Sequence, residues 1–236
     1  FDADRVYSGL MNPNDSHLEW TIDTFLSQTK AFYDTFEMCA RQPILPLVFT
    51  VNTGLVLKRG RQVTDSFRDF LDVTIENMAE KFWIEKRVPS VCLRIANAYG
   101  PHEEEDKMHY SLIRRVVDYI NIGERPVIVE GRSDFVHISD VIRAIEKASN
   151  FIQNHPGAWK FEIGSGEMID HLKIVKMGNE LYGTAYLART GRCKETDSLI
   201  SNPRADIRMA GKILGWEPRI TLDKGLLHLV NLVNRR

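Results

Sequence analysis

No two cysteines of this chain form a Cys-x-x-Cys pair: Cys39, Cys92 and Cys193 stand far apart. That spacing excludes the common zinc and dithiol motifs and offers no disulfide framework. A reducing compartment, cytoplasmic by default, is therefore expected. Charge of one sign is missing as well. Lys+Arg 31 against Asp+Glu 32 leaves a formal net charge of −1, which advertises neither nucleic acid nor an anionic membrane as a partner. Long hydrophobic runs are also absent. The longest, Ile44 to Leu57, is broken by Pro46, Thr50, Asn52 and Gly54 and falls far short of a membrane span. Phe1-Asp-Ala-Asp-Arg5 has neither a basic n-region nor an apolar h-region, so no signal peptide is expected. The sequence shows no internal repeat and no low-complexity tract.

What is present suits a globular α/β protein. The 236 residues are 43% hydrophobic and 27% charged, enough for one large domain or a sheet domain with a smaller lobe. Arg5 to Leu10 is a brief apolar run that ends in the turn residues Met11-Asn-Pro-Asn-Asp-Ser16. It reads as a strand and a loop. From about Glu19 to Arg41 the spacing of Trp20, Phe25, Phe32, Phe36 and Cys39 predicts an amphipathic helix. Its aromatic stripe, without interleaved basic residues, reads as core rather than a base-stacking platform. Leu45 to Val51 follows as a strand, Phe67 to Trp83 as a helix, and Ser90 to Ala96 as a third, buried strand. This β-α-β-α-β alternation predicts a parallel, right-handed, doubly wound sheet.

Beyond it, helices are expected at Tyr110 to Ile120, Ile138 to Phe151, Arg204 to Leu214 and Lys224 to Val233. Strands are expected at Pro126 to Val129 and Trp159 to Ile163, the latter turning at Gly164-Ser-Gly166. Ser139 or Asp140 is placed to cap the Ile138 helix, and Gly215 sits where a C′ residue would.

Three separated phrases carry a family resemblance: Leu93-Arg-Ile-Ala-Asn-Ala-Tyr-Gly-Pro101, Asp134-Phe-Val-His-Ile-Ser-Asp140 and Asp206-Ile-Arg-Met-Ala-Gly-Lys-Ile-Leu-Gly-Trp-Glu-Pro218. In this order they resemble the extended short-chain dehydrogenases/reductases, whose members are nucleotide-sugar epimerases, dehydratases and reductases. The resemblance implies a Rossmann-like sheet over residues 1–100. Over 101–236 it implies mainly a small substrate-binding lobe, with elements near 138–163 returning to the sheet. It also implies a nucleotide-sugar ligand and NAD or NADP as cofactor. Asn97 and Tyr99 would lie near the cofactor, and Asn97, Arg132 and Arg192 near the substrate.

The departures from the family are as informative. Its members open with a glycine-rich GxxGxxG loop that lets the backbone approach a pyrophosphate, and no such loop occurs here. Phe1 to Leu10 resembles the family's fourth strand, which leaves the edge at residues 5–10 exposed. A partner chain, a self-pairing contact or a rearranged N-terminus is expected to cover it. The family's Tyr-x-x-x-Lys pair, in which lysine lowers the tyrosine pKa for hydride chemistry, is also missing. Its positions fall near Phe67 or Arg68 and near Leu71 or Asp72. Arg68 and Asp72, at i and i+4, read as a surface ion pair. Thr53 remains as a candidate for the family's hydroxyl position.

Other residues have plain readings. Arg94, alone in a buried strand, reads as a structural hydrogen-bonder. Arg132 lies one residue earlier than the family's diphosphate-binding arginine, a slot held here by Ser133, so alternation points it to the opposite side. Arg192, in Thr190-Gly-Arg-Cys193, is the candidate for a second phosphate-binding arginine or a solvent-facing loop residue. His137 reads as a half-buried packing residue. Glu103-Glu-Glu-Asp106 reads as a solvated loop rather than a metal site, and no metal is expected. Two readings follow. One is a divergent, catalytically impaired nucleotide-sugar-binding protein. The other is a non-catalytic structural subunit of a larger assembly.

Overall fold

The computed structural model of the protein describes residues 6–9, 22–41, 45–52, 57–58, 61–62, 67–101, 111–191 and 204–234. The first half is built from β1 (Val6–Gly9), α1 (Ile22–Cys39), β2 (Leu47–Asn52), the short β3 (Leu57–Lys58) and β4 (Arg61–Gln62), α2 (Phe67–Lys86), β5 (Ser90–Ile95) and β6 (Asn97–Tyr99). Then come α3 (Leu112–Asn121), β7 (Val127–Ile128), β8 (Arg132–Ser133), β9 (Phe135–His137), α4 (Ile138–Asn154) and β10 (Ala158–Ile163). The chain closes with β11 (Ile169–Asp170), α5 (His171–Tyr182), β12 (Arg189–Thr190), a π-helical turn at Ala210–Leu214 and α6 (Leu222–Val233).

The main sheet has the order β1-β2-β5-β10 and is parallel throughout. Its strands are apolar on both faces because helices cover both. Leu47, Phe49, Val51 and Cys92 pack against Phe32, Phe36, Leu71, Ile75, Ala79 and Phe82 of α1 and α2. The alternate residues Val48, Val91, Leu93, Phe161 and Ile163 pack against Val141, Ala144, Ala148 and Ile152 of α4, and against Trp216. A further core gathers α3, α5 and α6 around Tyr99, Ile128 and Phe135.

On the α2 side of the sheet, polar residues continue where the apolar ones stop. Glu76, 1% exposed, receives Arg94 through two hydrogen bonds, Nε to Oε1 at 2.6 Å and Nη2 to Oε2 at 2.7 Å. Lys160 on β10 reaches Glu76 at 3.3 Å and Glu80 at 2.7 Å. Glu162, in register with Arg94, lies 3.7 Å from it. Hydrogen bonding to Glu76 holds the Arg94 guanidinium well above the usual arginine range, against the opposing effect of burial. Arg94 is thus the structural hydrogen-bonder its sequence context indicated.

Several local expectations need correction. The Asp72 carboxylate is buried, 1% exposed, rather than at the surface. The Arg68 side chain lies outside the described residues. Helix α4 is capped by His137, whose Nδ1 accepts from the Ser139 amide at 3.2 Å, because Asp140 already lies inside the first turn. His137 is 2% exposed rather than half-buried. The helix expected from Arg204 is a short turn, since the Asp206 carboxylate accepts from the Arg208 amide at 3.2 Å and sets the start there. Gly215 ends it in the left-handed region, at φ 60°. Helix α5 was not anticipated. Its N-cap is Asp170, accepting from the Leu172 amide at 2.8 Å, and Gly183 closes it. Among the described residues no helix is long and apolar enough to cross a membrane.

Removing one partner from a buried ion pair strands the other charge. Arg94→Leu is therefore expected to destabilise the protein by roughly 3 kcal/mol, with Lys160 alone left on Glu76. The double variant Arg94→Leu/Glu76→Gln should recover part of that loss. Urea unfolding midpoints at constant m-value measure both.

Candidate functional site at the carboxyl end of the sheet

The chain leaves the sheet at Ala96, whose amide donates to the Ile163 carbonyl at 2.8 Å. From there Asn97 is fixed twice to one acceptor. Its backbone amide at 3.2 Å and its Nδ2 at 2.8 Å both donate to the Asp134 carbonyl. This starts the parallel pairing of β6 with β9, which sets Asn97 opposite Phe135 and Tyr99 opposite His137. Gly100 then passes so close to α4 that an added Cβ would stand 2.5 Å from Ile138 Cγ2. No side chain fits there.

The Asp134 carboxylate organises the other wall. It is fully buried and accepts four hydrogen bonds. Oδ1 takes the Ser165 amide at 2.7 Å and its hydroxyl at 2.6 Å; Oδ2 takes the amides of Gly166 at 3.0 Å and Ala205 at 3.1 Å. A Cβ on Gly164 would press to 2.7 Å of that same oxygen, so only glycine allows the turn to close over it. Asp140 repeats the device at the far end of the phrase. It is fully buried and accepts from Arg143 at 2.6 Å and from the amides of Arg219 and Ile220 at 3.0 Å each. Its carbonyl accepts from Trp216 Nε1 at 2.9 Å.

Behind this wall runs a polar relay. His171 Nδ1 lies 2.7 Å from the Val129 carbonyl, so it must carry the proton. Nε2 is then an acceptor, and the Ser133 hydroxyl donates to it at 2.9 Å. Both side chains are buried, and the arrangement holds the β8 segment to α5. It is a clamp rather than an activated nucleophile, because nothing beyond Val129 orients a base toward solvent.

The residues singled out from the sequence fall into three situations. Asn97 stands at the head of the loop with its amide committed to Asp134. Tyr99 is 2% exposed, its ring edge-on to His137 at 5.4 Å and seated where α6 has Gly225, whose Cβ would overlap the phenol. Burial pushes the Tyr99 phenol far up, with Asp140 and Asp223 adding to it, so it is no base at neutral pH. Arg132 is exposed while Ser133 is buried. Its Nη2 donates to the Met168 carbonyl at 2.9 Å, two residues along the chain from Asp134. Thr53, Arg192 and Glu103 to Asp106 lie outside the described residues. Among the described residues no group of His, Cys, Asp and Glu could hold a metal ion. Asp134, Ser165 and His171 were not singled out as a cluster. The only sequence signal was the proximity of Asp134 to His137 and the turn at Gly164-Ser-Gly166.

Because four donors lose one charged acceptor, Asp134→Ala is expected to cost at least about 3 kcal/mol. Asp134→Asn, which keeps an acceptor at one oxygen, should cost less. Thermal unfolding of the pair measures the difference.

Comparison with known proteins places this geometry. Residues 72–164 match the NAD dependent epimerase/dehydratase family. The chain is 33% identical over 112 residues to the ADP-L-glycero-D-manno-heptose-6-epimerase of Brachyspira hyodysenteriae, covering 44% of this chain and 34% of that one. It is 27% identical over 154 residues to the dTDP-4-dehydro-6-deoxyglucose reductase of Escherichia coli, covering 61% of this chain and 45% of that one. The chain thus spans about a third to a half of the length of the curated relatives it matches. Among solved structures, a UDP-glucose 4-epimerase from Thermotoga maritima with UDP-glucose superposes with a TM-score of 0.83 at 20% identity, over 98% of this chain and 77% of that one. MoeE5 in complex with UDP-glucuronic acid and NAD gives 0.81 at 21% identity, over 98% and 79%. Residues 72–164 thus match the NAD dependent epimerase/dehydratase family, and the chain shares the Rossmann-like fold of these epimerase structures.

Proposed function

We propose that this protein binds a nucleotide-sugar and does not perform the tyrosine-based hydride chemistry of its relatives. The observation that carries the reading is a contrast between the strand ends and the start of α2. The frame at the carboxyl end of β5, built on Asn97, Gly100 and Asp134, is complete. On α2, by contrast, the Tyr and Lys positions hold Phe67 or Arg68 and Leu71 or Asp72. A carboxylate or a leucine at the lysine position cannot lower a phenol pKa, and neither phenylalanine nor arginine can give and take the proton. NAD is bound by the structural neighbour MoeE5. Bound here, it would supply hydride transfer, but residues 1–236 hold no glycine-rich cradle and no Tyr-x-x-x-Lys pair, so no such step follows from these residues.

In this reading the substrate meets the backbone of 97–100, with Arg132 and Arg192 at its phosphates and Thr53 beside its sugar. Residues 1–100 form the sheet part and 101–236 mainly the substrate lobe, from which α4 and β10 return. The free, buried thiols of Cys39 and Cys92 support a reducing compartment.

A second reading, a structural subunit, is favoured by two observations. Leu26, Tyr33 and Met38 of α1 and Phe70 and Ile84 of α2 are exposed to between 46% and 61%, and among the described residues β1 has no strand on its outer edge. A partner chain or a second copy at residues 5–10 belongs to this reading.

Calorimetric titration with NAD, NADP and a panel of UDP-, GDP- and dTDP-sugars separates the two, with the mass determined in parallel. A ligand at 100 times its Kd raises stability by about 2.7 kcal/mol. The expected result is binding of one nucleotide-sugar class without nicotinamide turnover. Turnover with the usual cofactor contradicts the impaired reading. Failure of every ligand, with the chain found only in a larger assembly, establishes the structural one.

A further inference from the structure

We propose that His137 is an acid-sensitive latch, whose neutral imidazole caps α4 and seats α6 against the Asn97–Gly100 loop until protonation releases both. The geometry fixes its protonation state. Nδ1 accepts the Ser139 amide at the head of α4, so in the neutral ring the proton sits on Nε2. That nitrogen is buried and has no hydrogen-bond partner among the described residues. It faces Gly100, where an added Cβ would lie 3.5 Å away.

A second proton has no favourable place to go. It would occupy Nδ1, break the cap, and put a full positive charge at a helix N-terminus, which already carries a partial positive charge. The charged and titratable neighbours among the described residues bear on this. From the loop comes Tyr99, neutral and buried, with its ring 5.4 Å away. From α6 comes His228, its ring 5.9 Å away, while Asp223 of the same helix acts on Tyr99. From α4 itself come Asp140 and Arg143, which are paired with each other at 2.6 Å. Among the described residues Asp140 favours the imidazolium, and it is also held by the Arg219 and Ile220 amides. Burial first, and His228 second, hold the His137 pKa below the usual histidine range, with Asp140 opposing.

The direction of the pH effect follows. An unfolded histidine titrates near ~6.5, and the folded chain binds this proton more weakly. The latch therefore stabilises fully above that pH and loses its contribution as pH falls toward the depressed folded value. Because His137 touches the cap of α4, the loop and α6 together, opening should appear in those elements before the sheet.

The test uses the full chain between pH 7.5 and 5. Asparagine keeps a capping acceptor and does not titrate, so His137→Asn isolates the proton. The wild-type melting temperature should fall more steeply with acid than that of His137→Asn. The Ser139 amide and the amides of α6 should lose protection by up to about tenfold per pH unit between the two pKa values. The His137 ring resonance should titrate below the ordinary histidine value. Equal slopes for the two proteins, or a His137 titration at or above the ordinary value, overturn the proposal. If His137→Asn does not fold, the ring titration and amide exchange of the wild-type protein decide it alone.

Discussion

The Asp134 carboxylate is the constraint on which the rest depends. A buried charge in a protein interior is costly unless its oxygens are satisfied, and here four donors satisfy it, from Ser165, Gly166 and Ala205. Those donors come from the end of β10 and from the closing segment, 31 to 71 residues away. Its own backbone carbonyl, meanwhile, fixes Asn97 at the end of β5. One residue thus ties two neighbouring strand ends to each other and to the C-terminal part of the chain. Asp140 does the same for α4 and the Trp216 segment. The spacing of the two aspartates is the spacing needed to reach both.

This explains why phrases far apart in sequence occur together. The Asn97–Gly100 loop can pass under α4 only because Gly100 has no side chain, and α6 can approach Tyr99 only because of Gly225. Each phrase that carried the resemblance is half of a contact whose other half lies in another phrase. The site is therefore rigid in its backbone. Its aromatic member, Tyr99, serves packing.

The sheet was legible because parallel strands covered on both faces are largely apolar, and Leu45 to Val51 and Ser90 to Ala96 read that way. Arg94 was legible too, since a cation in such a strand needs a buried acceptor, and Glu76 supplies it. Helix α5 was not legible. Its inward face includes His171, Gly178 and Asn179, which weakens the apolar period. The cap of α4 was misplaced because histidine is a rare N-cap and two better formers stood beside it. The burial of Asp72 was missed because i, i+4 charge spacing says nothing about which way that helical face turns. The clasp on Asp134 depends on contacts many residues apart, which no local pattern encodes.

The central claim is that the frame for a nucleotide-sugar persists where the proton-transfer pair does not. The most direct test is a backbone amide chemical-shift map of the chain on addition of UDP-sugars. The account predicts saturable shifts confined to Asn97–Gly100 and the neighbourhood of Arg132, with the amides of the α1 and α2 outer faces unmoved. Shifts confined to those outer faces, or none with any nucleotide-sugar, would contradict it.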